Sequence, residues 1–171
     1  MTLIAPAGSR RARRRERGVT IIELLVAVTV LGVIMSYALP NLRVLISNQR
    51  VRGVTTDMVA SLIYARSEAI KRNAQVSVIP NGGDWQTGWT VQAGGTTLRA
   101  QDPLTGITVS GPVGNVTYRG NGRIPGSSQI QFTFRVTDTA AIKMRCVVID
   151  PSGRPNLQLD NDSDTSNGCM T

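Results

Sequence analysis

The 171-residue chain contains no histidine and only two cysteines, and phenylalanine, tryptophan and tyrosine together make up 4% of it. Histidine is the commonest acid–base group near neutral pH and the commonest metal ligand. The chain also lacks a Gly-x-Ser-x-Gly motif, a phosphate-binding loop and any metal-ligand spacing. We therefore predict that it is not an enzyme and holds no metal or cofactor, although an active site built on two carboxylates would leave no such motif.

The net charge of +8 resembles that of a nucleic-acid-binding protein, but its distribution along the chain is uneven. Six arginines and one glutamate lie within residues 1–18, whereas residues 73–171 carry seven basic and seven acidic side chains. The C-terminal part is therefore close to neutral, and the overall charge is no argument for DNA binding.

An apolar segment follows the basic run and covers residues 19–39. As a helix it would be about 30 Å long, the thickness of the hydrocarbon core of a bilayer. The preceding arginines place its N-terminal end in the cytoplasm and everything after Pro40 on the other side. An ordinary signal peptide would end in a cleavage site after the apolar stretch, and we find no such site.

Helical periodicity continues beyond Pro40 to about Arg72, so that one helix of about 80 Å is predicted. Pro40 lacks a backbone donor and should kink this helix. Residues 19–40 form its transmembrane half and residues 41–72 its amphipathic half. Apolar side chains recur along one face of the second half at Leu42, Leu45, Val51, Val54, Met58, Leu62, Ala65 and Ala69.

Residues 73–171 have strand periodicity and predict a periplasmic antiparallel β-domain that covers the amphipathic half of the helix. Predicted strands include 76–80, 88–92, 96–99, 107–110, 116–118, 129–136 and 142–149. The polar segment from Asn156 to Thr171 is predicted to be a loop. Cys146 and Cys169 lie outside the cytoplasm in this topology, where a disulfide is favoured over two free thiols. The expected fold class is α+β.

The junction at Gly18 carries the strongest motif in the sequence. Gly18 and Val19 precede Glu23, a carboxylate at the start of an apolar helix, where an unpaired charge costs several kcal/mol. Here the sequence resembles the type III signal of type IV pilins and pseudopilins. The resemblance implies cleavage between Gly18 and Val19, with removal of a leader of residues 1–18, and N-methylation of Val19. Glu23 and Pro40 match the family's assembly glutamate and helix proline, although most relatives have phenylalanine or methionine in place of Val19.

Later residues resemble one branch of that superfamily, the FimT and FimU minor pilins and the GspH pseudopilins. The residues that carry this resemblance are Tyr64 to Ala69, Asp84–Trp85, Gly88–Trp89, Gly122–Arg123, Arg145 to Val148 and Ser152 to Arg154. The resemblance covers about Gly18 to Arg154 and implies a pilin-like fold: a long helix packed on a C-terminal antiparallel sheet.

The function implied is that of a minor pilin, which helps to prime and assemble a type IV pilus-like filament for twitching, adhesion or DNA uptake. The alternative is an H-type pseudopilin of a type II secretion system. Expected partners are the prepilin peptidase, other minor and major pilins or pseudopilins, and the inner-membrane assembly platform. The implied location is the bacterial inner membrane, as a single-pass protein, and then the filament.

DNA binding is a third, less favoured hypothesis. Some FimT-like proteins bind DNA through Gly-Arg-x-Arg, but here Gly153 and Arg154 are followed by Pro155 and Asn156. The candidate DNA contacts are Arg119, Arg123 and Arg154, whereas a structural role of Arg154 in a turn is the preferred interpretation.

The alternating carboxylates Asp160, Asp162 and Asp164 lack the glycine and the distal glutamate of a calcium loop. They are interpreted as a solvated acidic loop.

Overall fold

The computed structural model describes residues 18–137, 142–161 and 169, apart from the side chains of Ala38 and Pro40. The predicted α+β class is confirmed. One helix, α1 (Ile21–Arg72), is followed by antiparallel strands. Two short 3₁₀ turns lie between the first strand and the second. The strands are β1 (Val76–Pro80), β2 (Trp89–Ala93), β3 (Thr96–Gln101), β4 (Ile107–Ser110), β5 (Val116–Tyr118), β6 (Ile130–Val136), β7 (Arg145–Ile149) and β8 (Pro155–Leu159).

The chain divides into two compact units, Met1–Leu39 and Pro40–Thr171. In the first unit, the described part of α1 has exposed apolar side chains on all its faces, from Ile21 and Ile22 through Val33 to Leu39. Within the described residues, no single helix is long and apolar enough to cross a membrane, and Ile21–Tyr37 meets the criterion only together with Asn41–Arg72. The kink predicted at Pro40 concerns a side chain outside the described set and stays a prediction.

In the second unit, α1 buries one stripe of side chains at helical spacing. Met58, Leu62, Ala65 and Ala69 are all completely buried, because positions three and four apart lie on one face of a helix. The predicted stripe is therefore confirmed from Val51 onward. The N-terminal part of the predicted stripe is not buried, since Leu42 and Leu45 are 50% and 53% exposed.

The strands form two four-stranded sheets. The first has the order β3-β2-β1-β5 and the second the order β4-β6-β7-β8. All pairs are antiparallel, and the second sheet connects Val109 with Phe134 and Phe132 with Val147. Both sheets contribute side chains to one hydrophobic core that also includes the buried stripe of α1.

The two tryptophans lie in this core. Trp85 is 4% exposed and Trp89 is 1% exposed. Trp85 packs edge-on against Phe132, with ring centroids 4.7 Å apart, and its Nε1 donates to the carbonyl of Pro112 at 2.9 Å. Each indole therefore supplies apolar area and also has a partner for its N–H group.

Three predictions about the C-terminal part are corrected by the structure. The segment predicted to be a loop contains β8, which pairs with β7 so that Val147 faces Leu157. The strand predicted from Ile142 begins at Arg145. Asp160 is 2% exposed rather than solvated, and its backbone N–H donates to the carbonyl of Met144 at 3.1 Å. The other two acidic residues, Asp162 and Asp164, lie outside the described residues.

Candidate functional sites

The first turn of α1 is capped by Thr20. Its Oγ1 accepts a hydrogen bond from the backbone N–H of Glu23 at 3.3 Å, and its carbonyl accepts one from Leu24 at 3.1 Å. An N-terminal turn leaves its first N–H groups without helical partners, and a threonine hydroxyl satisfies one of them. This cap is not among the features predicted from the sequence above, although a threonine three residues before a glutamate is its usual signature.

Glu23 is exposed within its own unit, surrounded by apolar side chains that include Ile22 and Leu24. Its position in the first helical turn gives the carboxylate a favourable interaction with the positive end of the helix dipole. That interaction is modest, typically about 0.3–1 kcal/mol. The carboxylate therefore remains open to a cationic partner from another molecule.

Gly18 and Val19 precede the helix and have no regular secondary structure. A Cβ added to Gly18 would meet no atom within 4 Å, and Val19 is 71% exposed. The peptide bond between them is thus outside the helical hydrogen-bond ladder. Cleavage there and methylation of Val19 stay predictions, and residues 1–17 of the leader lie outside the described residues.

Two glycine turns meet beside the C-terminal part of α1. Gly122 and Gly153 are buried and have φ values of +72° and +82°. A Cβ on Gly153 would lie 2.3 Å from the carbonyl oxygen of Gly122, which also accepts a hydrogen bond from Arg66 Nε at 3.0 Å. Positive φ and close backbone approach both require glycine here. The turns that contain the two Gly-Arg motifs, Gly122–Arg123 and Gly153–Arg154, are therefore in direct contact. We call this contact the glycine joint.

The three arginines proposed as DNA contacts extend from these turns. Arg119, Arg123 and Arg154 are all exposed. In the second turn, the N–H of Arg154 donates to Asp150 Oδ1 at 3.1 Å. Hydrogen bonds from Ser152 and from the Arg154 backbone, together with the Arg154 charge, hold the pKa of Asp150 below its ordinary value. This turn geometry and the nearby carboxylate support the structural interpretation of Arg154.

Tyr118 packs under the same joint, its Cε1 3.0 Å from the position that a Cβ on Gly153 would take. The side chain is completely buried, and its hydroxyl has no hydrogen-bond partner among the described residues. Burial raises the pKa of Tyr118 above its ordinary value, because desolvation disfavours the phenolate. The hydroxyl therefore stays protonated at physiological pH.

Cys146 and Cys169 form the predicted disulfide, with their Cα atoms 5.9 Å apart. It joins the second residue of β7 to the C-terminal segment. Both cysteines are buried and pack with Met144 and Val148 in a small second cluster. Among the described residues, no group of three or more His, Cys, Asp or Glu side chains could hold a metal ion.

Taken together, a capped apolar helix continued by an amphipathic one, and two antiparallel sheets packed on the latter, define a pilin-like subunit. The profile of the family described as "Type II transport protein GspH" matches residues 54–153, and that of the "Prokaryotic N-terminal methylation motif" matches residues 13–39. The chain belongs to the GspH family.

Solved structures support the same fold. The chain is similar to a crystal structure of the type IV minor pilin FimU of Pseudomonas aeruginosa strain PAO1 in space group P21, with a TM-score of 0.57 and 23% identity. That match covers 71% of this chain and 96% of FimU. A second FimU crystal, in space group P65, gives a TM-score of 0.54, 25% identity and coverage of 70% and 99%. Comparison with curated protein sequences gives no significant match.

Proposed function

We propose that the protein is a minor pilin that helps to prime and assemble a type IV pilus-like filament. The observation that carries this proposal is the combination of an N-terminal methylation motif with a fold that covers nearly all of the FimU chain. A minor subunit acts through its contacts, so its work is mechanical and needs no catalytic site. Within the GspH family, structural subunits of pili and of pseudopili share this architecture.

The N-terminal half supplies the processing and assembly element. Prepilin peptidase cuts between Gly18 and Val19, the new amine is methylated, and the apolar helix from residue 19 to Pro40 holds the subunit in the inner membrane. Exposed apolar side chains all around the described residues of this segment support a lipid or helix environment. Glu23 then pairs with the N-terminal amine of a neighbouring subunit, because a carboxylate in an apolar surrounding needs a cation.

The second unit, placed in the periplasm, selects neighbours among other pilins and the assembly platform. Its core joins α1 to both sheets, so it presents a stable outer surface. DNA binding is not part of this proposal, since Asp150 lies next to Arg154 in its turn and the unit carries little excess positive charge beyond α1.

A second candidate is an H-type pseudopilin of a type II secretion system. The specific observation that favours it is the match of residues 54–153 to the family described as a type II transport protein. The fold is compatible with both machines, and so are the cleavage site and Glu23.

Gene deletion with complementation tests the two candidates together. The strain lacking the gene is scored for surface filaments and twitching, and separately for secreted enzymes in the medium. Loss of filaments with normal secretion supports the minor pilin, and loss of secretion with normal filaments supports the pseudopilin. If neither output changes, both candidates are wrong. Complementation with wild-type chain controls for effects on neighbouring genes.

A further inference from the structure

An open pocket of about 220 Å³ lies in the second unit, beside the early part of its helix. It is lined by Val44, Asn48, Arg52, Ile142, Lys143, Arg145 and Leu159. The glycine joint contacts α1 at Arg66 and Ile70, whereas this pocket contacts it no later than Arg52. Since 14 residues of helix span about 21 Å, the pocket is separate from Arg119, Arg123 and Arg154.

Three cationic side chains converge on the pocket, and Arg145 is the unusual one. It is 7% exposed, yet its Nε has no hydrogen-bond partner among the described residues. Arg145 begins β7 opposite Leu159 of β8, and directly opposite residues of an antiparallel pair point to the same face. Val147 and Ile149, two and four residues on, belong to the main core. Arg145 therefore points towards α1 at the margin of the apolar interior.

The electrostatics of this arrangement are unfavourable without a counter-ion. Burial, with the charge of Arg52 adding to it, lowers the pKa of Arg145. No carboxylate of the described residues lines the pocket. Asp160 is next to Leu159 in sequence but is not among the lining residues, and its N–H bonds to Met144. A buried guanidinium beside like charges is costly unless an anion pairs with it, so the pocket is built for an anionic group.

The surroundings indicate what carries that anion. Exposed apolar residues occupy α1 at Leu42, Val44, Leu45 and Ile46, interrupted by Arg43. From Ser47 to Arg52 every residue except Val51 is polar or basic. The pocket lies at this transition, with Val44, Ile142 and Leu159 as apolar walls beside the three cations. A phospholipid has the same order, an apolar chain followed by a phosphate, and basic pockets at a membrane surface recognise lipid head groups.

We infer that this pocket binds the phosphate group of a membrane phospholipid while the subunit is held in the membrane. This inference rests on the membrane anchoring in the proposed function. The Arg145 guanidinium and the Lys143 ammonium donate hydrogen bonds to phosphate oxygens, and these bonds are strong because both partners are charged. Arg52 adds positive charge at the mouth of the pocket, and the apolar walls contact the glycerol and the start of the acyl chains.

Lipid binding is measured on the purified full chain in an uncharged, phosphate-free detergent, by native mass spectrometry and by a titration of thermal stability. Phosphatidylglycerol is compared with diacylglycerol of the same chains, because the apolar helix also binds lipid without regard to head group. We expect wild type to bind one phosphatidylglycerol in preference to diacylglycerol. Lys143→Gln and Arg145→Met should each weaken that preference about tenfold.

Arg99→Gln is the matched control, since Arg99 is exposed on β3 in the other sheet and should leave lipid binding unchanged. Lys143 is exposed, so its variant tests the inference even if Arg145→Met fails to fold. Equal binding of phosphatidylglycerol by wild type and Lys143→Gln would overturn the inference.

Two further probes separate the sources of the anion. Inorganic phosphate that binds as tightly as the lipid would overturn the lipid assignment in favour of free phosphate. Glutarate that competes as well as phosphate would overturn it in favour of an acidic side chain of a neighbouring subunit. Lipid binding is measured on the purified chain without any filament. A negative binding result would therefore overturn the lipid inference but not the proposed role in assembly. A negative deletion result would overturn the proposed function but not a measured lipid binding.

Discussion

The indole Nε1 of Trp89 donates a hydrogen bond to Ser61 Oγ at 3.0 Å, and the same hydroxyl donates to the carbonyl of Asp57 at 2.8 Å. Trp89 is on β2 and Ser61 on α1, and both are buried. The serine hydroxyl thus acts as acceptor and donor at once. This buried hydrogen bond therefore links β2 of the first sheet to α1, in addition to the apolar packing between them.

Removal of the serine hydroxyl should destabilise the second unit. Ser61→Ala leaves the Trp89 N–H buried without a partner, and we expect a loss of about 1–3 kcal/mol in the free energy of unfolding. The measurement is urea unfolding followed by tryptophan fluorescence. Ser67→Ala is the control, since Ser67 is exposed and its hydroxyl donates to the Tyr64 carbonyl of its own helix.

The double variant Ser61→Ala, Trp89→Phe tests the hydrogen bond itself, because it removes the donor as well. Its cost should be smaller than the sum of the two single costs. Additive costs would mean that the hydrogen bond contributes nothing to stability.

Gly153→Ala should be much more damaging than an alanine at another glycine with positive φ. At Gly153 the added Cβ meets the Gly122 carbonyl at 2.3 Å, whereas at Gly114, with φ of +85°, it meets nothing within 4 Å. We expect a loss of about 1 kcal/mol for Gly114→Ala, from backbone strain alone, and about 3 kcal/mol for Gly153→Ala. Equal changes in thermal midpoint would show that the two turns do not touch.

The Glu68–Arg72 pair should make stability depend on acid pH. Arg72 Nε donates to Glu68 Oε2 at 2.7 Å, and this bond, with Lys71 at 3.5 Å, lowers the pKa of Glu68 from its ordinary value of 4.5. A lowered pKa means that the folded state favours the carboxylate. The stabilisation is therefore complete above the ordinary pKa and is lost as pH falls through the lowered folded-state value.

Thermal midpoints of wild type and Glu68→Gln measured across this range check the sign. The wild type should be the more stable at neutral pH, and the difference should shrink as the pH falls below the ordinary pKa of glutamate. A difference that stays constant with pH would contradict the assignment.

Mutation should separate the role of Glu23 in assembly from the role of Thr20 in capping the helix. Glu23→Gln keeps a side chain that suits the third position of a capped helix but removes the charge, so we expect a processed, membrane-held subunit that does not enter filaments. Thr20→Ala removes the cap at a cost of about 0.5–2 kcal/mol, and we expect faster hydrogen exchange of the Glu23 amide with assembly retained. Processing is checked by intact mass and assembly by the subunit content of sheared filaments. Normal assembly of Glu23→Gln would refute the proposed pairing with a neighbour's amine.

Loss of the disulfide should lower stability by a similar amount however it is removed. The bond closes a loop with a sequence separation of 23, for which chain entropy predicts about 3 kcal/mol. Cys146→Ser, Cys169→Ser and reduced wild type should all unfold at similarly reduced urea concentrations. A Cys169→Ser variant as stable as oxidised wild type would exclude a stabilising role for the bond.

Local periodicity in the sequence was sufficient to predict the helix and most strands. The helix ends at Arg72 as predicted, because its apolar spacing stops there. The sequence pattern extends the buried stripe too far towards the N-terminus, since Leu42 and Leu45 have the spacing of core residues but burial begins only at Val51. The sheets cover only part of the helix, and the point at which this cover ends depends on how the sheets pack on it. The periodicity of the helix sequence does not contain that information.

Features that depend on long-range pairing were missed. β8 lies at the edge of its sheet, and four of its five residues are exposed. Its apolar alternation consists only of Leu157 and Leu159, which is too short to distinguish a strand from a polar loop. Arginine is a residue type that is usually exposed. The burial of Arg145 becomes apparent only once β7 is placed with Val147 and Ile149, on the same strand face, towards the core. The meeting of Gly122 with Gly153 likewise joins segments far apart in sequence. Composition identified the Gly-Arg motifs but not their contact.

The disulfide also has a consequence for how β7 can pair. Arg145, Val147 and Ile149 share one face of the strand, while Met144, Cys146 and Val148 share the other, where Cys169 lies. A slip of β7 by one residue would exchange these faces and would turn the Cys146 sulfur away from Cys169. Disulfide formation therefore disfavours a one-residue slip of β7, and the covalent bond helps to hold this strand with its apolar face towards the core.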